Sequence, residues 1–174
     1  MKVYIHYGHP EFNKERFTEL HNSEYLSVKP DRRSGIWASP ISSEFGWKDW
    51  CEQNDFRECR EDNSFKFVIK NPARILTIES IQDALYLIDR YYIEDTRGTP
   101  PYCTKEQLKD EVSNSRNFVL HQCCMDFEAM QRDGYAGLEI SFDKWPGLFY
   151  NLFYGWDCSS IVVWDANEIV TVEM

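Results

Sequence analysis

Strand-like segments lie towards both ends of this 174-residue sequence, and helix-like segments fill its middle. The first strand is predicted over residues 2–7 (KVYIHY), where β-branched and aromatic residues precede Gly8 and Pro10. The last third of the chain turns to strand patterns again, over 135–142, 159–164 and 168–172. Strands and helices therefore do not alternate as a parallel βαβ sheet requires. The order predicts one α+β domain over residues 1–174, with a mixed, largely antiparallel sheet packed against helices.

The middle of the sequence supplies the other elements. Short strands are predicted over 36–39, 65–69 and 74–79. Helices are predicted over 13–22, 44–56 and 80–92, from Thr104 onwards, and from Asp126 to Gly134. Residues 94–103 are expected to form a long loop. Residues 165–167 (Asp-Ala-Asn) are expected to form a hairpin turn between the last two strands.

The helix over 80–92 has a capping signal and an apolar stripe. Ser80 and Asp83 are spaced as in a capping box. The residues expected on the buried stripe are Ile81, Ala84, Leu85, Ile88 and Tyr92.

A net charge of −10, from 29 acidic and 19 basic residues, limits which molecules the surface of the protein is expected to bind. An acidic surface repels phosphate backbones, so non-specific nucleic-acid binding and docking on anionic membranes are disfavoured. A local basic site is still compatible with the sequence around Lys29, Arg32 and Arg33. Aromatic residues make up 16% of the chain, which favours a stable core and also suits a pocket with aromatic walls.

The six cysteines are predicted to be free thiols. The chain starts with a charged residue and a strand-like run instead of a signal peptide, which predicts a reducing, cytoplasmic compartment. Cys123 and Cys124 are adjacent, and Cys51 and Cys59 lack a nearby second pair, so no metal is expected. The apolar runs are too short to span a membrane, and common nucleotide-binding and hydrolase motifs do not occur in the sequence.

Three residues near the N-terminus are candidates for a ligand site. His6 is either a half-buried strand residue bonded to backbone, or a ligand-facing group beside Gly8, which lets a ligand approach closely. Trp37 and Ser39 are expected on the same face of a short strand, because side chains alternate there. An aromatic ring beside a hydroxyl suits a flat heteroaromatic ligand, although a core tryptophan and a strand-end serine fit equally well.

Two acidic residues in the last third are the candidate catalytic groups. Glu139 alternates with Leu138 and Ile140, so it is expected to face solvent unless it has a role in catalysis. Asp157 lies just before the strand predicted over 159–164, where it acts either as a turn residue or as a reactive carboxylate.

Together these segments resemble the ADP-ribosyltransferase superfamily. The resemblance rests on a first strand with His6 before Gly8, and on the second strand Gly35-Ile36-Trp37-Ala38-Ser39-Pro40. It also rests on the late order of a short helix, a Tyr-x-Gly strand and a hydrophobic strand that ends in Asp-x-Asn. The resemblance implies the fold of that superfamily, with NAD as the substrate.

The resemblance also implies roles for individual residues. His6, Tyr7 and Gly8 on the first strand, and Trp37, Ala38 and Ser39 on the second, would bind NAD. An acid at the start of a late strand would stabilise the positive charge that develops on the ribose as nicotinamide leaves. Where the family carries its glutamate, this chain has Ser159 and Ser160. Asp157, or otherwise Glu139, would take its place.

The implied function is transfer of ADP-ribose to a protein or nucleic-acid acceptor, by a bacterial or phage-like toxin or host-takeover enzyme. An alternative is a non-enzymatic acidic binding protein of the immunity or phage-accessory type. That alternative predicts an exposed patch formed by Trp47, Trp50, Trp145 or Trp156. A hydrolase with a cysteine paired to His6, His9 or His121 is a third hypothesis.

Overall fold

The computed structural model describes residues 1–22, 29–30, 34–94, 104–114, 124–143, 152–153 and 155–173. Its strands are β1 (Val3–Tyr7), β2 (Ile36–Pro40), β3 (Ser64–Ile69), β4 (Ile75–Ile78), β5 (Tyr92–Ile93), β6 (Cys124–Met125), β7 (Gly137–Ile140), β8 (Ser160–Val163) and β9 (Ile169–Val172). Its helices are α1 (Trp47–Gln53), α2 (Ile81–Tyr91), α3 (Lys105–Ser113) and α4 (Phe127–Arg132). Most of the predicted loop over 94–103, together with His121 and Trp145, lies outside the described residues.

Seven strands form one curled sheet in the order β4-β7-β8-β2-β1-β3-β9, and β5 pairs separately with β6. Among the described strands, β4 and β7 run parallel and the other neighbours run antiparallel. The predicted α+β fold with a mixed, largely antiparallel sheet is confirmed.

The two faces of this sheet support two hydrophobic cores. On the first face, Trp37, Leu138 and Val162 pack with α2, α3 and α4. On the second face, Tyr4 and Ala38 belong to a smaller core that also contains Phe65, Phe67 and Ile161. Neighbouring residues of β2 therefore serve different cores, as strand alternation requires.

Helix α2 begins where the sequence predicts. The Ser80 hydroxyl accepts a hydrogen bond from the backbone N–H of Asp83 at 3.2 Å, which caps the helix. The residues buried along it are Ala84, Leu87, Ile88 and Tyr91. The observed buried stripe is therefore rotated slightly around the helix axis relative to the prediction. Leu85 is only half-buried, and Tyr92 already belongs to β5.

The helix predicted over 13–22 is wrong. Only a short 3-10 turn forms, Lys14–Arg16, and Phe17 after it is already extended. The physical reason lies in the two apolar side chains of this segment. Phe17 packs against the core of the second face, whereas Leu20 is buried in the core of the first face. One face of a short helix cannot supply both contacts.

The hairpin predicted at 165–167 is also wrong. Strand β8 lies between β7 and β2, whereas β9 pairs with β3 at the far edge of the sheet. Asp165 instead caps the 3-10 turn Ala166–Glu168 by accepting a hydrogen bond from the backbone N–H of Asn167 at 3.0 Å. The chain then crosses to the other edge of the sheet.

Candidate functional site

A cleft on the first face lies where β1, β2 and β3 meet the start of α1. Its volume is about 260 Å³. The polar residues that line it include Tyr7, Ser39, Lys48, Asp49, Glu61 and Lys66. Two residues from the predicted NAD-binding set, Tyr7 and Ser39, therefore share one concave surface.

Ser39 caps α1 from outside the helix. Its hydroxyl accepts a hydrogen bond from the backbone N–H of Trp47 at 2.9 Å, and the Asp49 carboxylate accepts one from the Gly46 N–H at 2.8 Å. These bonds satisfy N–H groups that a helix start leaves unpaired. Gly46 makes the approach possible, because a Cβ there would lie 3.2 Å from the Cβ of Ser39.

The charged groups of the cleft are of both signs. Lys48 and Lys66 contribute ammonium groups, and Asp49 and Glu61 contribute carboxylates. Burial raises the pKa of the Tyr7 phenol, and the nearby Cys59 and Glu61 side chains add to this effect. Tyr7 is therefore a neutral hydrogen-bond donor at physiological pH.

A second cluster of polar and aromatic groups, the Lys29 cluster, comprises Lys29, Trp37, Trp156 and Asp157. Lys29 Nζ lies 5.8 Å from the centroid of the Trp37 ring and 4.0 Å from Oδ2 of Asp157. The ring of Trp156 packs edge-on against Trp37, with centroids 4.7 Å apart. An aromatic ring and a carboxylate thus hold one cation between them.

The turn before β8 shapes the Lys29 cluster. Asp157 has a φ of +65° and Gly155 a φ of +98°, so both adopt left-handed backbone conformations. A Cβ at Gly155 would lie 3.3 Å from Cε of Lys29, so the glycine leaves space for the lysine chain. Aspartate tolerates this conformation better than most L-residues do.

His6 lies on the second face, away from the side chains of Trp37 and Ser39. Its ring packs against Phe65, and its Nδ1 lies 2.7 Å from the carbonyl oxygen of Trp37. Because a carbonyl only accepts, Nδ1 carries the proton, and within the described residues the buried Nε2 has no partner. Burial lowers the pKa of His6, against the opposing effect of this hydrogen bond. His6 therefore holds the backbone of β2 in position through its hydrogen bond to the Trp37 carbonyl.

Gly8 and Ala38, two further residues of the predicted NAD-binding set, lie in different parts of the fold. Gly8 ends β1 with a φ of +125°, a conformation that favours glycine, and its N–H donates to the Asn63 carbonyl at 2.8 Å. Ala38 is buried in the core of the second face. Neither lies with the groups of the cleft.

Glu139 is buried on the second face, with 2% of its surface exposed, so the expectation that it faces solvent is wrong. Its Oε1 accepts a bond from Lys2 Nζ at 2.7 Å, and its Oε2 accepts one from the Tyr4 hydroxyl at 2.8 Å. The alternation with Leu138 and Ile140 is real, but both sides of β7 are covered. The sheet separates Glu139 from the Lys29 cluster.

Sequence reasoning missed Asp143, an exposed residue that follows β7. Its Oδ1 accepts hydrogen bonds from the hydroxyls of Ser43 at 2.9 Å and Ser159 at 3.2 Å. Ser43 lines the cleft, and Ser159 immediately precedes β8. Ser43 and Ser159 therefore hold a carboxylate from another segment. No local pattern in the sequence indicates this contact.

Comparisons with protein-family profiles, curated proteins and solved structures found no match to this chain. In the described ranges, no group of three or more His, Cys, Asp or Glu side chains could hold a metal ion. No helix within those ranges is long and apolar enough to cross a membrane.

Proposed function

We propose that this protein binds NAD on the first face of the sheet and transfers its ADP-ribose to a macromolecular acceptor. The observation that carries the proposal is the adjacency of β8, β2 and β1. Those are the three strands to which the family resemblance assigns the NAD site. Their adjacency brings Trp37 and Asp157 to a common cation, Lys29.

The chemistry of the Lys29 cluster suits a nicotinamide ring, which is flat and positively charged in NAD. Trp37 and Asp157 already hold an ammonium group by a cation–π contact and an ion pair. The same two groups would attract a cationic aromatic ring when Lys29 moves aside. Trp156, which is buried, supports the Trp37 ring from its edge.

The size of the cleft suits one half of a dinucleotide. Small-molecule sites commonly measure about 300–1,000 Å³, and the cleft of about 260 Å³ lies just below that range. Lys48 and Lys66 supply positive charge for a diphosphate, and Tyr7 and Ser39 supply hydroxyls for a ribose.

Two carboxylates are candidates for stabilising positive charge on the ribose. Asp157 lies in the Lys29 cluster, and Asp143 is held by Ser43 and Ser159 at the edge of the cleft. A carboxylate positioned by other hydrogen bonds stabilises developing charge without reorganising. Buried Glu139 has a structural role in this proposal, and His6 is a positioning residue for β2.

The test is NAD-dependent thermal stabilisation, together with label transfer from tagged NAD to proteins in a lysate. Wild type is expected to gain stability with NAD and to label acceptors. Trp37→Ala is expected to lose the stabilisation, Asp157→Asn to weaken it and lose labelling, and Asp143→Asn to lose labelling while still binding NAD. Asp55→Asn is the matched control, because Asp55 is also an aspartate with positive φ but is exposed on another segment. Wild-type protein that shows neither stabilisation nor labelling would refute the proposal.

A non-enzymatic binding protein is the second candidate function. Trp156 is buried, but Trp47 and Trp50 are only partly buried and contact Phe56, which is 58% exposed. Partly exposed aromatic side chains of this kind are typical of surfaces that bind other proteins. Such binding would not involve NAD.

A further inference from the structure

An aromatic surface projects from α1 and the segment that follows it. The rings of Trp47 and Trp50 stack with centroids 5.0 Å apart and an angle of 12° between their planes. Phe56 packs edge-on against both, with centroids 5.8 and 5.3 Å away. Phe56 leaves 58% of its surface exposed, so water contacts a large apolar area here. We call Trp47, Trp50 and Phe56 the α1 aromatic surface.

Exposed carboxylates lie on the same segment as the α1 aromatic surface. They belong to Asp49, Glu52, Asp55 and Glu58. Residues 48–62 carry six acidic and three basic side chains, for a net charge of −3. Residues 48–62, which we call the rim of this surface, are therefore negative, like the chain as a whole.

The basic side chains of this segment have partners of their own. Lys48 lies 4.0 Å from Glu52, and Arg60 pairs with Asp62 at 2.8 Å. Arg57 places its guanidinium 5.3 Å from the centroid of the Trp47 ring and donates to the Tyr7 carbonyl at 3.3 Å. Arg57 thus shows, within the chain itself, that the Trp47 ring accepts a guanidinium group.

We propose that the α1 aromatic surface docks a cationic polypeptide segment rich in arginine or lysine. Guanidinium and ammonium groups bind the faces of indole rings and pair with the carboxylates of the rim. A phosphate backbone or an anionic membrane would instead meet the negative rim. A second copy of this chain, with a net charge of −10, would be repelled as well.

This surface adjoins the cleft, because Trp47 and Asp49 line the cleft too. A segment bound on the α1 aromatic surface would lie beside the cleft opening. The docking proposal does not require NAD binding, so it can fail or hold independently of the proposed function.

The test is fluorescence anisotropy of a labelled peptide of alternating arginine and serine, titrated with the full chain. A peptide of alternating glutamate and serine and a single-stranded DNA oligonucleotide are the comparison probes. Phe56→Ala is expected to weaken binding about three- to tenfold, because it removes an exposed apolar contact. Glu52→Gln with Glu58→Gln is expected to weaken binding to a similar degree and to reduce its dependence on salt.

Val170→Ala is the control for Phe56→Ala, since Val170 is also exposed, at 44%, but lies on β9. Glu11→Gln with Glu15→Gln is the control for the charge variants, because both glutamates are exposed on another segment. Circular dichroism establishes that each variant is folded. Equal affinity for the glutamate peptide or the oligonucleotide would overturn the proposal. Losses of affinity in the control variants equal to those in the test variants would also overturn it. So would a wild-type protein that binds no peptide but self-associates, with the self-association abolished by Phe56→Ala.

Discussion

The Tyr4 hydroxyl donates a hydrogen bond of 2.8 Å to Oε2 of Glu139, joining β1 to β7 across the two strands that separate them in the sheet. Lys2 donates to the other carboxylate oxygen at 2.7 Å. Glu139 is therefore a buried carboxylate with a partner on each oxygen. The contact ties the N-terminal strand to the last third of the chain.

Tyr4→Phe is expected to lower the free energy of unfolding by about 1–2 kcal/mol, because a buried carboxylate oxygen loses its donor. Urea denaturation at neutral pH measures this loss. Tyr86→Phe is the control: Tyr86 is 44% exposed and its hydroxyl lies 3.5 Å from that of Tyr135, so a change within about 0.5 kcal/mol is expected. Equal stability of Tyr4→Phe and wild type would show that the contact contributes nothing.

His6→Asn is expected to reduce the loss of stability in mild acid. Burial lowers the pKa of His6 below its ordinary value of about 6.5, so the unfolded chain takes up the proton more readily. Stability is therefore lost as the pH falls through that value, at up to about 1.4 kcal/mol per pH unit. Asparagine can donate to the Trp37 carbonyl without titrating.

The measurement for His6→Asn is the free energy of unfolding at about pH 7.5 and about pH 5.5. The difference between these two values is expected to be smaller in the variant, by about 1 kcal/mol. An unchanged difference would mean that His6 is not the group whose protonation destabilises the fold.

Substitutions at Asp157 separate backbone strain from the role of the carboxylate. Its φ of +65° suits glycine better than any residue with a Cβ. Asp157→Gly is therefore expected to be about 1 kcal/mol more stable than Asp157→Ala. Both lose the carboxylate that contacts Lys29 and that the proposed function uses, so both are expected to lose the proposed ADP-ribose transfer. Thermal unfolding and label transfer, measured side by side, check this; equal stability of the two variants would contradict the strain argument.

Arg74→Met is expected to destabilise the fold by about 2 kcal/mol, because it leaves the buried Glu168 carboxylate without its cation. Arg74 Nη1 donates to Glu168 Oε1 at 2.7 Å and to Asp165 Oδ2 at 2.8 Å. Arg60→Met, which breaks the exposed pair with Asp62, is the control and is expected to have no measurable effect in urea denaturation. Similar losses in both variants would count against a special role for Arg74.

Local patterns in the sequence predicted most elements of the fold. Residues 2–7 and 36–39 form strands, and Ser80 caps α2, because these features depend on side-chain alternation and on hydrogen bonds a few residues apart. The same alternation placed Trp37 and Ser39 on one face of β2. The single domain, the cytoplasmic location and the use of NAD stay predictions.

The candidate site was only partly predictable. Trp37 and Asp157 were both candidates, but their common contact with Lys29 depends on β8 pairing with β2. Asp143 was missed, because its serine partners come from distant segments. His6, Ala38 and Glu139 were grouped with the site by resemblance, and the sheet places their side chains on the other face.

The sequence by itself determined where most strands and helices form, since those choices rest largely on interactions between near neighbours in the chain. The tertiary structure alone decided which strands are adjacent and which side of the sheet each side chain occupies. In the tertiary structure Glu139 is buried and bonded to Tyr4, and Phe17 and Leu20 pack in different cores. Strand β9 lies at the edge of the sheet and does not pair with β8. The physical reason is that burial and strand pairing are settled between segments far apart in sequence, where local patterns carry no information.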